Sequence, residues 1–193
     1  MPNPPSPRRR WLQQTLPGAF FGLLAWRGLT RASAAVDEPN HLPFMEDLHD
    51  LPRDLAAMQA QKIPMLLFVH ASYCGFCHEV DSQFIQPMGG DPAYQGRLII
   101  RRVEIDADGT ILGAQGQKET NAQFARRLDV RLVPVVAFFD PEGHEVGERI
   151  KGVTVPDFYP YYLSEGIKLA EQCAKYPDPA RCRPTKVTDQ RSL

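Results

Sequence analysis

The sequence predicts an α/β domain with a central mixed β-sheet that is flanked by helices. Two observations carry this prediction. Continuous apolar runs, which are typical of fully buried strands, alternate with segments whose apolar residues recur at helical spacing. Their order is helix, strand, helix, strand, helix, strand, strand, helix, which is a βαβ unit and a ββα unit with an extra N-terminal helix. The length of 193 residues favours one domain with its own core.

The first half of this domain is predicted to hold two helices and two strands. Asp50 is a suitable N-cap for the first helix, and Pro52 suits its first turn. Leu51, Leu55 and Met58 then recur at helical spacing. The predicted elements are a polar lead-in over 35–46, a helix over 50–61, a strand over 65–69, a helix that begins at or beside Cys74 and ends at 87–90, and a strand over 98–106.

The second half is predicted to begin with a Gly-rich loop and to end with a long helix. A turn over 141–143 leads into an alternating segment, which is typical of an edge strand. The predicted elements are a loop over 107–119, a helix over 120–129, a buried strand over 133–140, an edge strand over 145–152 and a helix over 157–175. These elements assign the domain to residues 35–176, with a tail over 177–193.

Residues 1–34 have the pattern of a cleaved export signal. They contain five arginines, no acidic residue, an apolar stretch over 16–26 and a final triplet of small residues. The apolar run is shorter than the roughly 20 residues that a spanning helix needs, so we expect no membrane span in the mature chain. Arg8–Leu12 is similar to a twin-arginine signal, with an ordinary secretory signal as the alternative. We expect cleavage after Ala34, or after Ala35, and a periplasmic location.

The charge distribution argues against a nucleic-acid partner. The composition, 43% hydrophobic and 23% charged, is that of a globular protein. Outside the first 34 residues the chain carries 17 basic and 23 acidic side chains. Because a surface that binds phosphates needs a basic face, we expect no nucleic acid among the partners.

The motif Cys74-Gly75-Phe76-Cys77 carries the candidate chemistry. A helix that begins at Cys74 directs its unpaired backbone N–H groups and the positive end of its dipole at that residue. These favour a thiolate, so we expect the pKa of Cys74 to lie below the value of about 8.5 for a free cysteine. Cys77, one turn further, is expected to be the buried partner that resolves a mixed disulfide. Gly75 leaves the approach to Cys74 open, and Phe76 adds an apolar contact for a substrate.

These residues resemble the thioredoxin superfamily, and more closely its exported bacterial members. The resemblance covers residues 45–175 and rests on the run over 65–77, MLLFVHASYCGFC, on Val133-Pro134 and on the closing helix. It implies a thioredoxin fold and a thiol–disulfide oxidoreductase that needs no bound cofactor. It also implies a cis proline at Pro134 that packs over the disulfide, and a Val133 backbone that binds an extended substrate peptide as an added strand.

One departure from that family concerns proton transfer. Many thioredoxins carry a buried acid six residues before the first cysteine, and Phe68 occupies that position here. Another group must then accept the proton of the second cysteine. The candidates are His70, His78, Glu79 and Glu104. Of these, the histidine that adjoins the second cysteine is more typical of a helix-surface residue than of a catalytic base.

A second departure leaves the direction of electron flow open. The dipeptide Gly-Phe replaces the Gly-Pro of cytosolic reducing thioredoxins and is closer to the Gly-Tyr of periplasmic disulfide isomerases. The resemblance implies exported proteins with thiols or disulfides as partners. It also implies a membrane thiol carrier as donor for a reductase, which we favour, or a quinone-linked membrane oxidase for an oxidant. We expect a monomer.

Three alternatives use the same residues. The sequence from Cys74 fits the C-x-x-C-H pattern of covalent haem attachment, with His78 as the axial ligand. Its distal ligand would be Met58 or Met65. A copper carrier would instead bind Cu(I) through both thiolates of the motif and His78, and a binding module would hold a peptide beside the predicted cis proline. No second C-x-x-C or paired histidine completes a zinc shell, so we expect no resident metal.

The remaining cysteines, Cys173 and Cys182, bracket a polar segment that contains two prolines. Because the prolines turn the chain back and an oxidising compartment permits disulfides, we predict a disulfide that pins residues 183–193 to the last helix. Closing a loop of this size contributes roughly 2–3 kcal/mol through chain entropy. A second redox relay is the alternative.

Overall fold

Five strands form one mixed sheet at the centre of the domain, and two further strands form a separate hairpin. The computed structural model describes residues 43–153, 156–184 and 193. The strands are β1 (Met45–Asp47), β2 (Met65–His70), β3 (Ile99–Glu104), β4 (Thr110–Leu112), β5 (Lys118–Thr120), β6 (Val135–Phe139) and β7 (Glu145–Lys151). The sheet order is β1-β3-β2-β6-β7. Strands β1, β3 and β2 run parallel, and β6 is antiparallel to β2 and β7, so the predicted mixed sheet is confirmed.

Helices cover both faces of this sheet. They are α1 (Leu51–Gln61), α2 (Gly75–Val80), α3 (Gln86–Gly90), α4 (Asn121–Arg127), α5 (Tyr159–Lys175) and α6 (Pro179–Cys182), with a π-helical turn over Asp81–Ile85 and a 3-10 turn over Pro156–Phe158. In the described part of the chain, no helix combines the length and apolar character needed to cross a membrane. The predicted signal, with its cleavage after Ala34 or Ala35, lies outside the described residues, as does most of the tail beyond Pro184.

Strand β2 is buried on both faces and separates two cores. Successive side chains of a strand point to opposite faces. Leu66 and Phe68 face one core, which they share with Cys77 and with residues of α5. Met65 and Leu67 face the other core, together with residues of α1 and α4. Because both faces are covered, the strand is apolar almost throughout, as its continuous apolar run predicts.

Helix α1 begins as its sequence predicts. The amide of Arg53 donates to Asp50 Oδ1 at 2.9 Å, so Asp50 is the N-cap, and Pro52 lies in the first turn. Lys62 closes the helix in the left-handed region, with φ 53°, and its backbone N–H donates to Met58 O. The predicted bounds of this helix are confirmed.

Two segments that were predicted to be irregular contain strands. Strand β1 includes residues 45 and 46, the end of the predicted lead-in over 35–46; it pairs with β3 and carries an ion pair between Asp47 Oδ1 and Arg102 Nη2 at 3.1 Å. Residues 107–119, predicted as a Gly-rich loop, hold most of the hairpin β4–β5. Each of these strands has three residues, too few for an alternating pattern, so tertiary pairing determines them.

The helix that follows Cys74 continues through a π-helical turn and through Pro87. The π-helical turn comes directly before α3, and the Gln86 amide donates to Asp81 O within it. Pro87 lies in the first turn of α3, where a missing N–H breaks no regular α-helical bond. The helix ends at Gly90, within the end predicted at 87–90.

The tail is attached to the domain by a disulfide and by polar contacts. Cys173 in α5 and Cys182 in α6 are disulfide-bonded, with their Cα atoms 5.8 Å apart, and both are nearly inaccessible. Arg183 Nη1 donates to Asp140 Oδ2 at 2.8 Å. The amide of Leu193 donates to Gly143 O at 2.7 Å. These contacts hold the described tail residues against α5 and the turn between β6 and β7.

A buried ion pair joins α1 to β3. Arg101 and Asp54 have no exposed side-chain surface, and two hydrogen bonds of 2.6 and 3.0 Å link them. Arg101 Nη1 also donates to the carbonyl oxygens of Pro43 and Ile100. Because the side chains of Arg101 and Asp54 are both removed from water, the pair is costly to break from one side.

We predict that Asp54→Asn lowers the free energy of unfolding by about 3 kcal/mol, because it leaves the buried Arg101 charge with only the partly exposed carboxylate of Glu46, 3.3 Å from its Nη2. Urea unfolding followed by circular dichroism measures this change. The matched control is Glu165→Gln, which breaks an exposed pair with Lys168 and is expected to change the free energy of unfolding far less, because water screens that pair. Equal effects of the two substitutions would contradict the prediction.

Candidate active site

Cys74 is the N-cap of α2 at the point where the chain leaves the sheet. Its backbone is extended, with φ −94° and ψ 105°. The amide of Cys77 donates to Cys74 Sγ at 3.1 Å, and the amide of His78 donates to Cys74 O at 3.2 Å. The sulfur therefore lies at the positive end of the helix, where an N–H donor stabilises a thiolate.

The two cysteines of the motif form a disulfide with unequal access to solvent. Their Cα atoms are 5.2 Å apart. Cys74 is half-buried, whereas Cys77 is 2% exposed and belongs to the core between β2 and α5. A Cβ atom built at Gly75 would meet nothing within 4 Å, and Phe76 is 62% exposed. A partner can therefore approach Cys74 but not Cys77.

A cis peptide bond brings a second segment of the chain to this disulfide. The bond is Val133–Pro134, directly before β6. Cys74 Sγ lies 3.8 Å from Val133 O, although the two residues are 59 positions apart. Pro134 is buried, and its carbonyl oxygen accepts from the Gly152 amide at 2.8 Å. The carbonyl of Val133 is thus directed at the accessible sulfur.

Polar contacts fix the loop between β2 and Cys74. The Ser72 amide donates to Asp106 Oδ1 at 2.9 Å, and the Ser72 hydroxyl donates to Asp106 Oδ2. These hydrogen bonds, first that of the hydroxyl and then that of the amide, hold the pKa of Asp106 below its ordinary value. His78 Nε2 lies 2.7 Å from Ser72 O and donates to it. Both ends of the loop are therefore tied to neighbouring elements.

Behind the disulfide lies a polar cavity of about 350 Å³. The candidate proton acceptors His70, His78 and Glu104 line it, together with Cys77. Glu79, the fourth candidate, is not among its lining residues. The cavity thus brings three of the four candidates to the buried cysteine.

Comparison with known proteins identifies the fold that carries this site. A family model described as thioredoxin-like matches residues 45–141, half of the chain. This chain belongs to the thioredoxin-like family. Its members combine the same sheet and helices, so the predicted thioredoxin fold is confirmed, and this fold with a C-x-x-C pair supports a thiol–disulfide oxidoreductase. Among curated proteins, none matches the sequence significantly.

Several solved structures are similar to this chain at low sequence identity. A thioredoxin of Fasciola hepatica is 14% identical, with 63% of this chain and 99% of that chain covered and a TM-score of 0.45. A thioredoxin of Thermus thermophilus is 19% identical, with 69% and 98% covered and a TM-score of 0.45. A protein entitled DsbH oxidoreductase is 18% identical, with 65% and 88% covered and a TM-score of 0.47.

The thioredoxin-like fold separates the residues of the haem alternative. Met58 and Met65, the two predicted distal ligands, have no exposed surface and lie in the core on the opposite face of the sheet from Cys77. His78 Nε2 is engaged with Ser72 O. Among the residues that the structure describes, no group of three or more His, Cys, Asp and Glu side chains is placed to hold a metal ion.

Sequence reasoning missed three residues of the thioredoxin-like site. Tyr73 and Leu132 are 75% and 84% exposed, and they directly precede Cys74 and Val133. Tyr73 has a sequence signal, because it adjoins the Cys74 motif. Leu132 has none, because only the contact of its neighbour Val133 with Cys74 relates it to the site. Asp106 is the last residue of the strand predicted over 98–106, and the sequence carries no signal for its hydrogen bonds to Ser72.

We predict that Asp106→Ala lowers the free energy of unfolding at neutral pH, because it removes both acceptors of Ser72. The pKa of Asp106 is lowered in the fold, so its contribution is present above the ordinary value of 3.8 and is lost as the pH falls through the folded value. The difference between the variant and the native chain should therefore shrink in acid. Urea unfolding across this pH range measures it.

The control is Asp108→Ala, which removes an exposed carboxylate two positions further along the same turn. It should show no such convergence. The prediction would be contradicted if the difference in free energy of unfolding between Asp106→Ala and the native chain stayed constant, or grew, as the pH falls.

Proposed function

We propose that this protein is an exported thiol–disulfide oxidoreductase that reduces disulfides in other exported proteins. The observation that carries the proposal is the arrangement at Cys74. An accessible sulfur lies at the start of a helix, 3.8 Å from the carbonyl of Val133, with the inaccessible Cys77 bonded to it. Such a site forms a mixed disulfide with a partner protein through the accessible sulfur. The inaccessible sulfur then breaks that mixed disulfide and releases the partner.

The reaction takes two exchange steps. In the first, the Cys74 thiolate attacks one sulfur of the partner disulfide, forms a mixed disulfide and expels the other sulfur as a thiolate. In the second, Cys77 loses its proton and attacks Cys74 Sγ, which re-forms the intramolecular disulfide and expels the second partner thiolate. Two electrons pass from the dithiol to the partner, and the expelled thiolates take up two protons.

The surface around Cys74 suits an extended segment of a partner protein. Val133 offers backbone groups next to the sulfur, and an extended chain can pair with such groups as an added strand. Tyr73, Phe76 and Leu132 are exposed apolar side chains next to Cys74 and Val133 in the sequence. Backbone pairing and a few apolar contacts depend little on the partner's sequence. We therefore expect the protein to select partners whose disulfides are accessible and lie in an extended segment of chain.

Two features support export to the periplasm. Residues 1–34 have the order of a cleaved signal, with arginines, a short apolar stretch and small residues. The second disulfide, between Cys173 and Cys182, fits an oxidising compartment. We propose a structural role for this disulfide, because both sulfur-bearing residues are at most 2% exposed. A reductase in that compartment draws its electrons from a membrane thiol carrier.

We predict that Cys74→Ser abolishes the reduction of a protein disulfide such as that of insulin, because the attacking thiolate is gone. Cys77→Ser should stop turnover after one step and accumulate mixed disulfides, which non-reducing electrophoresis resolves. The control is the double variant Cys173→Ala with Cys182→Ala, which should keep turnover if it folds. Turnover by Cys74→Ser would contradict the proposed function, and loss of turnover in a folded double variant would favour the second relay.

We also predict that the Cys74–Cys77 pair has a reduction potential near that of thioredoxin, about −270 mV. Equilibration of the purified chain with dithiothreitol measures it, followed by trapping of free thiols. A potential near about −120 mV, as in a strong periplasmic oxidant, would reverse the direction and point to a quinone-linked oxidase as the partner. The absence of any reversible couple would contradict the oxidoreductase itself.

A further inference from the structure

The cavity behind Cys77 contains the group that the second exchange step needs. Phe68 occupies the position where many thioredoxins hold an acid, so it offers no site for the proton of Cys77. His70 lies two residues further along the same face of β2, and its ring stacks on Phe68 with centroids 4.9 Å apart. Both His70 and Cys77 line the cavity.

We propose that His70 accepts the proton of Cys77 through water in this cavity, and that Glu104 stabilises the imidazolium that forms. The inference rests on the proposed function and assigns a residue to its second step. A volume of about 350 Å³ is many times the roughly 30 Å³ that one water molecule occupies in the liquid. Its polar walls supply partners for such water.

The register of the sheet places Glu104 beside His70. The two residues are direct partners in the parallel pairing of β2 with β3. Glu104 Oε2 lies 3.8 Å from His70 Nδ1, an ion-pair distance once the ring is protonated. The side chain of Glu104 is 40% exposed, which connects the pair to solvent. A proton taken from Cys77 therefore has a route to bulk water.

Burial keeps the ring of His70 neutral before the step, against the net effect of the charges that face it. Burial lowers the pKa of His70 from its ordinary value of 6.5, and its side chain is 15% exposed. The carboxylates of Glu104, Asp81 and Asp47 oppose this lowering, whereas Arg102 adds to it. Because the pKa remains lowered, the ring at neutral pH is an imidazole that can take a proton.

The other candidates are less suited to this transfer. His78 is exposed and its Nε2 is engaged with Ser72 O. Asp81 also lines the cavity, but its Oδ2 already accepts a hydrogen bond from Gln86 Nε2 at 2.8 Å. Glu79 does not reach the cavity. His49 also lines the cavity but is exposed, so His70, with a side chain 15% exposed, is the most shielded imidazole among the residues that line it with Cys77.

The step balances with no external oxidant. The Cys77 thiol gives its proton to His70, and its sulfur bonds to Cys74 Sγ while the bond from Cys74 to the partner breaks. The departing partner thiolate takes the electron pair of that bond. The imidazolium then returns its proton to solvent through the cavity, and the partner thiolate takes up one proton from solvent.

A single-turnover experiment tests this assignment. The reduced chain is mixed with the symmetrical disulfide of thionitrobenzoate, which releases one coloured thiol when Cys74 attacks and a second when Cys77 resolves the mixed disulfide. Two phases follow, and only the second requires Cys77. The variants are His70→Gln, His70→Phe, which keeps the ring stack on Phe68, and Glu104→Gln. The matched control is His144→Gln, in the turn between β6 and β7.

Both His70 variants are expected to leave the first phase unchanged and to slow the second on the order of 100-fold at neutral pH, within the range of general base catalysis. In the native chain the second phase should fall in acid with a midpoint below 6.5, the ordinary pKa of histidine. Glu104→Gln should move that midpoint to lower pH, since this carboxylate raises the pKa of His70. In the His70 variants the second phase should instead rise steadily with hydroxide concentration.

The outcomes separate this inference from the proposed function. Loss of the first phase in the native chain would contradict the oxidoreductase, whereas a normal first phase with a second phase that His70→Gln leaves unchanged would overturn the role of His70. A midpoint of the second phase that Glu104→Gln leaves unchanged would overturn the role of Glu104. The first phase of each variant shows that the site is folded.

Discussion

The register of the central strand β2 is the constraint on which the site depends. Its pairing with β6 aligns Val69 with Val135 and so places the cis peptide bond next to the residue that follows the strand. Its pairing with β3 aligns His70 with Glu104 on the other side. A shift of one residue would turn every side chain of β2 to the opposite face. It would also separate His70 from Glu104 and move the cis peptide bond away from the end of β2. The two buried cores prevent that shift, because either face of β2 is fully packed.

This arrangement gives the two sulfurs different surroundings, and the difference suits the two steps of disulfide exchange. Cys74 meets a partner at the surface, beside exposed apolar side chains and a backbone carbonyl. Cys77 meets only the core and the polar cavity, so its proton must leave through the protein or through water inside it. Attack and release are therefore controlled by separate sets of residues. The helix that begins at Cys74 joins them, because both sulfurs lie on its first turn.

Much of the fold was predictable because its signals are local. The apolar run of β2, the cap at Asp50 and the C-x-x-C motif each carry their meaning within a few residues. The short strand β1 and the hairpin β4–β5 were missed because pairing with distant segments creates them. In the site, the C-x-x-C motif identified both cysteines from the sequence. The sequence did not rank the four candidate proton acceptors. Their ranking depends on the pairing of β2 with β3 and on the cavity, neither of which has a local sequence signal.

The replacement of an acid by Phe68 then has a physical consequence for the rest of the strand. Side chains two positions apart share a face, so a polar group that is absent at Phe68 can be supplied at His70 without a change of face. The new position lies at the end of β2, and its register partner Glu104 is 40% exposed. A base placed there exchanges protons with solvent more readily than one within the core. The apolar ring at Phe68 meanwhile adds to the packing around Cys77, and it supports the imidazole by stacking at 4.9 Å. The strand thus separates packing from proton transfer, two roles that a buried acid would have to combine.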